Sequence, residues 1–217
     1  MERLERVRVW SGWLRLSHAL IGLSTIALLI TGWLLSAAPS LQEGARDLHY
    51  LLAAVLVFGL ALRLLLMFRG SAVERLDQLV PGDSEWSAVK ESARFYLSLG
   101  KTPLPRWYAH NPLWKSLYLL LYVLLLVLVL SGWLRDEHPL LFGIYLPDVH
   151  ALFASVVAWW SLLHVLAVIL HDYRGDAADT SSIINGHRLF VVEKPGLDPV
   201  ELQETSIRLD QIGRPDR

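Results

Sequence analysis

Four long stretches of apolar residues, separated by polar segments, dominate the chain. Each has about 20 residues or slightly more, which is the length that a helix needs to cross the hydrocarbon core of a bilayer. The pattern therefore predicts an all-α integral membrane protein, a bundle of four transmembrane helices. The predicted spans are Trp13–Leu35, Leu48–Phe68, Leu113–Leu134 and Val149–Leu170.

The polar connections between these spans differ in length. Ser36–Asp47 and Arg135–Asp148 are short, whereas Arg69–His110 is long. Within the long connection, apolar side chains recur on one face of Ser84–Leu99, with Lys90 on the other face. This periodicity predicts an amphipathic helix that lies along the membrane surface.

The distribution of positive charge predicts the orientation. The N-terminus, the long connection and the tail are rich in Arg and Lys, whereas the two short connections carry only Arg46 and Arg135. Because cytoplasmic segments carry the excess of Lys and Arg, both termini and the long connection are expected in the cytoplasm. We expect residues 1–190 to form the membrane domain and residues 191–217 a soluble cytoplasmic tail.

Composition excludes several kinds of cofactor. The chain of 217 residues is 53% hydrophobic and contains no cysteine, which excludes iron–sulfur clusters, cysteine-ligated zinc and covalently attached haem. Its net charge of -1 shows no basic footprint for nucleic acid. Any haem is therefore of the non-covalent b type.

Four histidines lie inside the predicted spans, where an ionisable side chain is costly and marks a functional site. His150 and His164 are fourteen residues apart, so they share one helix face about 21 Å apart along the axis. In the predicted orientation His49 is level with His150 near the outer surface, and His18 with His164 near the inner one. Two facing pairs at two depths predict two bis-histidine haems b; polar bridges between helices are the simpler alternative.

Two arginines are candidates for binding haem propionates. Arg63 lies fourteen residues after His49, hence on the same face at the inner depth, and Arg15 lies one turn before His18. Guanidinium pairs well with carboxylate, but either side chain can instead extend to lipid phosphate. We favour a propionate for Arg63 and lipid for Arg15.

Three smaller features leave alternatives open. His171, seven residues beyond His164, could replace it as a ligand, although a place at the membrane edge is favoured. Gly22 and Gly59 either admit a flat macrocycle or allow close helix packing. The two halves of the chain also share a short repeat, because Thr31–Leu34 (TGWL) and Ser131–Leu134 (SGWL) each end a span that precedes a histidine-opened one.

Several motifs surround these residues: Arg15-Leu-Ser-His18, Asp47-Leu-His49, Arg63–Gly70, His110-Asn-Pro-Leu113 and Ser181–Arg188. In them the chain, from about Val7 to Phe190, resembles the bacterial four-helix di-haem cytochrome b family. That family includes the b-type cytochrome subunits of nickel–iron hydrogenases, cytochrome b561-like proteins and, more distantly, the cytochrome b subunits of formate dehydrogenases.

The resemblance implies a function and a location. It implies His18, His49, His150 and His164 as axial ligands of two haems b, and electron exchange with a membrane quinone. The chain would be the membrane subunit of a quinone-linked oxidoreductase in the bacterial cytoplasmic membrane, with a redox partner on the outer side. The chain has no catalytic metal site of its own for a further substrate, so a partner would supply that chemistry.

The resemblance also places a quinone pocket at the turn that begins the third span, beside the inner haem. The candidate residues are His110, Asn111 and Lys115, with His171 as a possible proton carrier. A purely structural interpretation is also available, since Asn111 is a good N-cap and Lys115 can extend to the membrane surface.

Two other functions compete with the electron-transfer subunit. One is a stand-alone superoxide:quinone oxidoreductase of the same fold. The other is a transporter or structural anchor without cofactors, although the spans contain no acidic side chain for an ion pathway. The long connection and the tail favour the docking of a partner.

Overall fold

The computed structural model describes residues 2–174 and 180–193 of the chain, and four long helices form its body. All four predicted spans are confirmed, and each helix is longer than its apolar stretch. In chain order the elements are β1 Glu2–Arg8, α1 Gly12–Ala37, α2 Gln42–Arg69, α3 Trp86–Leu97, α4 Pro112–Leu134, β2 Leu140–Leu141, β3 Ile144–Tyr145, α5 Leu146–Arg174, α6 Thr180–Asn185 and β4 His187–Glu193. The long helices α1, α2, α4 and α5 are apolar enough to cross a membrane.

Side-chain caps set the starts of α1 and α4. The hydroxyl of Ser11 accepts a hydrogen bond from the Leu14 amide at 3.1 Å, and the side-chain oxygen of Asn111 accepts one from the Leu113 amide at 2.9 Å. Each cap satisfies a backbone donor that has no partner within the helix. The predicted cap at Asn111 is confirmed, with Pro112 as the first helical residue.

A narrow apolar core joins all four long helices, while large apolar side chains such as Phe58 and Trp159 cover the outside. Helices that are apolar both in the core and on the outer surface suit a bundle surrounded by lipid. Close packing of α1 on α2 depends on Gly59, where a Cβ would lie 3.0 Å from Leu20 Cβ. Of the two predicted roles for Gly59, the structure shows helix packing.

Two small sheets lie at opposite ends of the bundle. β1 pairs antiparallel with β4, from Glu2 opposite Glu193 to Arg8 opposite His187; we call this the sheet end. The hairpin of β2 and β3 marks the other end, the hairpin end. No local pattern in the sequence predicts the β1–β4 pairing, and β4 crosses the expected domain boundary at residue 190. Residues 194–217, most of the predicted tail, lie outside the described residues.

The predicted surface helix corresponds to α3, which packs against α4 at the sheet end. Lys90 is exposed, as expected for the polar face. The inward face is formed by Ser92 and Phe95, both fully buried, and Leu97 remains exposed. α3 therefore closes one side of the sheet end of the bundle.

Candidate functional site

Two pairs of histidine rings face each other inside the bundle. His49 on α2 and His150 on α5 form the hairpin-end pair, with ring centroids 6.4 Å apart. His18 on α1 and His164 on α5 form the sheet-end pair, also with centroids 6.4 Å apart. The structure thus brings together the same two pairs that the predicted depths of the histidines in the membrane indicate.

The separation within each pair suits a metal ion held between two imidazoles. A metal–nitrogen distance of about 2 Å on each side places the two ring centroids roughly 6 Å apart. Within residues 2–174 and 180–193, no group of three or more His, Asp or Glu side chains is arranged to hold a metal ion. Each pair therefore offers two nitrogen ligands, and the remaining ligands of a haem iron would come from its macrocycle.

Hydrogen bonds orient both rings of the hairpin-end pair. The hydroxyl oxygen of Thr31 lies 2.8 Å from Nδ1 of His49. Nδ1 of His150 lies 3.1 Å from the Ser131 hydroxyl and 3.1 Å from the Leu128 carbonyl. Because both rings are held through Nδ1, Nε2 is the nitrogen left to bind a metal ion.

Aromatic rings surround the sheet-end pair. Trp160 stacks on His164 with centroids 5.1 Å apart, and Trp114 meets the same ring edge-on at 5.2 Å. Nδ1 of His164 is buried and finds no hydrogen-bond partner in the part of the chain that the structure describes. Since buried polar atoms are normally partnered, this nitrogen fits a site completed by a bound group.

A cavity of about 480 Å³ connects the sheet-end pair with most of the other predicted ligand-binding residues, and both His18 and His164 line it. A second, more open cavity of about 630 Å³ borders α1 beside Arg15. Gly22 lines both cavities, and a Cβ there would meet nothing within 4 Å. Of the two predicted roles for Gly22, open space beside His18 fits a macrocycle. Further residues of the first cavity are Arg63, Trp107, His110, Asn111, His171 and Arg188.

Arg63 is held inside the protein, with only 3% of its surface exposed. Its Nε donates to the Tyr122 hydroxyl at 3.1 Å, and its NH1 group donates to the Glu74 carbonyl at 2.8 Å. A buried guanidinium that lines the cavity does not extend to lipid phosphate. The alternative of lipid contact is therefore wrong for Arg63.

Arg15 has a different environment. Its guanidinium donates to the backbone carbonyls of Ile183, at 3.3 Å, and Ile184. These bonds hold the end of α6 against α1 and keep the side chain on the protein. The open cavity nevertheless brings Arg15 next to His18, as its position one turn earlier requires.

His110 lies at the sheet end of the first cavity, between the rings of Trp10 and Tyr118. Burial, with the positive charges of Arg63 and Lys115 nearby, lowers the pKa of His110 to about 4. The imidazole is therefore neutral at physiological pH. A neutral histidine that lines a cavity can donate a hydrogen bond to a ligand through one ring nitrogen and accept one from it through the other.

Lys115 does not line this cavity with the other candidates. Its ammonium group contacts both carboxylate oxygens of Glu85, at 2.6 and 2.8 Å. The hydrogen bond from Lys115 keeps the pKa of Glu85 below its usual value, against the opposing effect of burial. In the structure the side chain links α4 to the start of α3 rather than extending to the membrane surface.

His171 is buried at the sheet end, with 6% of its surface exposed. Its Nε2 is hydrogen-bonded to the Tyr96 hydroxyl. The same hydroxyl accepts a bond from Trp114 Nε1 at 2.6 Å and one from the Asn111 amide at 3.4 Å. A hydrogen-bonded cluster thus connects α3, α4 and α5 beside the cavity.

Sequence reasoning missed several of these contacts. Tyr96 was expected only as part of a surface helix, and nothing local indicates its bond to His171. Arg188 is buried and donates to the carbonyls of Trp107 and Tyr108, which ties β4 to the loop before α4. Thr31 and Ser131 did leave a signal, because both stand first in the short repeat.

A four-helix membrane bundle without cysteine, holding two facing histidine pairs, has the architecture of a membrane b-type cytochrome. The family model of prokaryotic cytochrome b561 matches residues 9–186, and the chain belongs to this family. The resemblance seen in the sequence is thereby confirmed. The chain is a multi-pass protein of the bacterial inner membrane, with haem b as its cofactor and electron transfer as its activity.

Two relatives extend this comparison over most of the chain. The "Probable Ni/Fe-hydrogenase B-type cytochrome subunit" of Azotobacter vinelandii is 28% identical over 220 residues, which cover 87% of this chain and 91% of the relative. The protein of the same name from Cupriavidus necator is 23% identical over 212 residues, which cover 84% and 86%. No solved structure matches the chain.

Proposed function

We propose that this chain carries electrons across the membrane through two haems b, as the membrane subunit of a quinone-linked oxidoreductase complex. The observation that supports this proposal is one geometry repeated twice. Two histidine pairs, one toward each end of the bundle, have the same centroid separation of 6.4 Å. Helix-to-helix polar bridges would not need the same separation in both places.

The two pairs lie at depths suited to transfer across a bilayer. His150 and His164 are both on α5, and fourteen residues of helix correspond to about 21 Å. The pairs would therefore divide a hydrocarbon layer of roughly 30 Å into short steps. Haem b, held by the four histidines, supplies one-electron oxidation and reduction at each pair.

The sheet end faces the cytoplasm in this proposal. β1 and β4 bring the two ends of the described chain to this side, together with the Lys- and Arg-rich connection that contains α3. The connections at the hairpin end carry only Arg46 and Arg135. Under the positive-inside rule, His49 and His150 then hold the outer haem, and His18 and His164 the inner one.

Arg63 is the proposed partner of a haem propionate. It lines the cavity that contains both histidines of the sheet-end pair, and its burial favours an anionic partner over solvent. A guanidinium has five N–H donors, more than the bonds to Tyr122 and Glu74 require. Arg15 is a second candidate from the neighbouring cavity, although it already bonds two carbonyls.

We propose a quinone site in the sheet-end part of the cavity. His110, Asn111 and His171 line it, next to His164. Quinone reduction consumes two protons with two electrons, so the site needs hydrogen-bonding groups that exchange protons. His110 and His171 supply imidazoles, and the Tyr96 hydroxyl links His171 to Asn111. Lys115 supports this region indirectly, through its ion pair with Glu85 on the side of α3.

A redox partner would dock at the hairpin end. Both relatives are named as hydrogenase cytochrome subunits, which supports a catalytic partner for this chain as well. The β2–β3 hairpin presents exposed apolar side chains there, with Phe142 95% exposed. Because β3 leads directly into α5, this surface lies close to the hairpin-end pair.

The decisive experiment combines haem quantitation with histidine replacement in the full chain. The purified protein is expected to contain two haems b. His49→Ala and His150→Ala should each remove one and the same haem, and His18→Ala and His164→Ala should each remove the other. Redox titration of the haem that remains shows which of the two has been lost. His138→Ala, in an exposed loop, is the matched control and should keep both. A chain without haem, or loss of the same haem from His18→Ala and His150→Ala, would refute the proposal.

A further inference from the structure

The short repeat that ends α1 and α4 occupies equivalent places in the structure. Thr31 and Ser131 each hydrogen-bond the histidine that lies near the start of the next long helix. The glycine that follows each hydroxyl residue faces the same histidine ring. Two separate parts of the chain therefore make the same set of contacts to the two rings of the hairpin-end pair.

We infer that Thr31 and Ser131 are positioning residues, which set the tautomer and orientation of His49 and His150 so that each ring presents Nε2 to the outer haem iron. This inference rests on the proposed di-haem function. It adds a role for two hydroxyl groups that touch neither substrate nor iron. They act through the histidines alone.

Hydrogen-bond direction determines the tautomer of His49. The Thr31 hydroxyl has one proton, and we assign it to the nearby backbone carbonyl of Ala27 at 3.0 Å or Leu28 at 3.2 Å. Its oxygen is then left to accept from Nδ1 of His49 at 2.8 Å. His49 therefore carries its proton on Nδ1, and the lone pair that binds iron is on Nε2.

The tautomer of His150 follows from a carbonyl. The Leu128 carbonyl can only accept, so the contact of 3.1 Å with Nδ1 of His150 requires a proton on that nitrogen. The Ser131 hydroxyl donates to the same carbonyl at 3.2 Å and accepts from His150 at 3.1 Å. Leu128 and Ser131 thus hold this ring together, again leaving the lone pair on Nε2.

The sheet-end pair lacks an equivalent arrangement at His164. Its Nδ1 is buried without a hydrogen-bond partner among residues 2–174 and 180–193. A donated Nδ1–H bond makes a ligand imidazole more basic and favours the oxidised metal. Loss of a hydroxyl should therefore raise the reduction potential of the outer haem and leave that of the inner haem unchanged.

The test uses the full chain with Thr31→Val and Ser131→Ala, singly and combined. We expect the affinity of the hairpin-end site for haem to fall about 10-fold or more. In the outer haem that remains, the reduction potential should rise, as redox titration measures. Thr31→Ser keeps the hydroxyl and should restore both properties. Ser24→Ala removes a comparable hydroxyl-to-carbonyl bond on α1 and should change neither haem.

Three results would overturn the inference. One is an outer haem with unchanged content and potential in the double variant. Another is an equal shift of both haems, which would indicate a general change in the bundle. The third is a Thr31→Ser variant that behaves like Thr31→Val. If the unmodified chain binds no haem, or only one, the proposed function itself fails, so the two failures are distinguishable.

Discussion

The glycines at positions 32 and 132 lie against equivalent histidines at different distances. A Cβ at Gly132 would stand 2.9 Å from Cε1 of His150, whereas a Cβ at Gly32 would stand 3.6 Å from Cε1 of His49. The first distance is too short for an unmoved ring, and the second is ordinary contact. We therefore expect Gly132→Ala to displace His150 and reduce outer haem content, and Gly32→Ala to retain it. Equal haem content in the two variants would contradict this geometry.

His110 leads to a prediction about pH. Burial and the nearby positive charges lower its pKa from 6.5 to about 4. Below pH 6.5 the unfolded chain binds a proton that the folded chain resists, so stability falls as the pH drops from about 6.5 to 4, by about 3 kcal/mol. Above pH 6.5 the histidine has no such effect.

The measurement compares thermal unfolding of the unmodified chain and His110→Gln across this pH range. The difference between their midpoints should change between pH 6.5 and 4 and stay constant above it. Other histidines titrate in both proteins, so they cancel in the comparison. A difference that does not vary with pH would show that folding leaves the pKa of His110 unchanged.

Individual residues were predictable where depth alone places them. The rise per residue of a helix, together with the predicted direction of each span, was sufficient to pair His49 with His150 and His18 with His164. Spacing could not show that Lys115 turns toward Glu85, since that contact depends on where α3 packs. Tyr96 was missed for the same reason.

At the scale of elements, hydropathy predicted the four long helices but not their ends. α2 begins at Gln42 rather than Leu48, because a polar first turn at the membrane surface leaves no apolar signal. The β1–β4 sheet was missed altogether, since its strands are far apart in sequence and their pairing is not a local property. β4 nevertheless ties the end of the described chain to its beginning.

The attachment of α3 gives an element-scale prediction. Lys115 and Glu85 form the ion pair between α4 and the segment that starts α3, with the lysine side chain 10% exposed. A partly buried pair of this kind contributes about 1 kcal/mol. Lys115→Met should therefore loosen α3 and increase hydrogen exchange in residues 86–97.

A double-mutant cycle separates the pair from the individual side chains. Adding Glu85→Gln to Lys115→Met should produce little further loosening if the two groups act mainly on each other. Lys90→Met changes a residue on the exposed face of α3. It serves as the control and should leave hydrogen exchange in α3 unchanged. Fully additive effects of Lys115→Met and Glu85→Gln would contradict a direct interaction.

At the scale of the whole molecule, the proposed orientation can be tested by reporter fusions. Fusions after Leu41 and Phe142 should report the outer side, because both positions lie in connections at the hairpin end. Fusions within residues 84–101 and at the C-terminus should report the cytoplasm. The reverse pattern would place the sheet-end pair on the outer side and move the proposed partner to the opposite end of the protein.

The last prediction concerns the proposed quinone pocket, where three helices meet at one hydroxyl group. Tyr96→Phe removes the hydroxyl that bonds His171, Trp114 and Asn111, while keeping the aromatic ring. If this cluster delivers protons, quinone-dependent oxidation of the haems should slow about 100-fold, which is the size of a lost proton-transfer contribution.

Two controls make this prediction specific. Haem content and the reduction potentials should be unchanged in Tyr96→Phe, because the lost hydroxyl bonds His171, Trp114 and Asn111. Tyr108→Phe is the second control, because it removes the hydroxyl of a tyrosine in the loop before α4. The ring of Tyr108 stacks on Phe190, and its replacement by Phe should leave the rate of quinone-dependent oxidation unchanged. Replacing water by D₂O should slow the unmodified chain, since protons move in the step that Tyr96 serves. A Tyr96→Phe variant with normal quinone-dependent oxidation and both haems intact would move the proton route away from the α3–α5 contact.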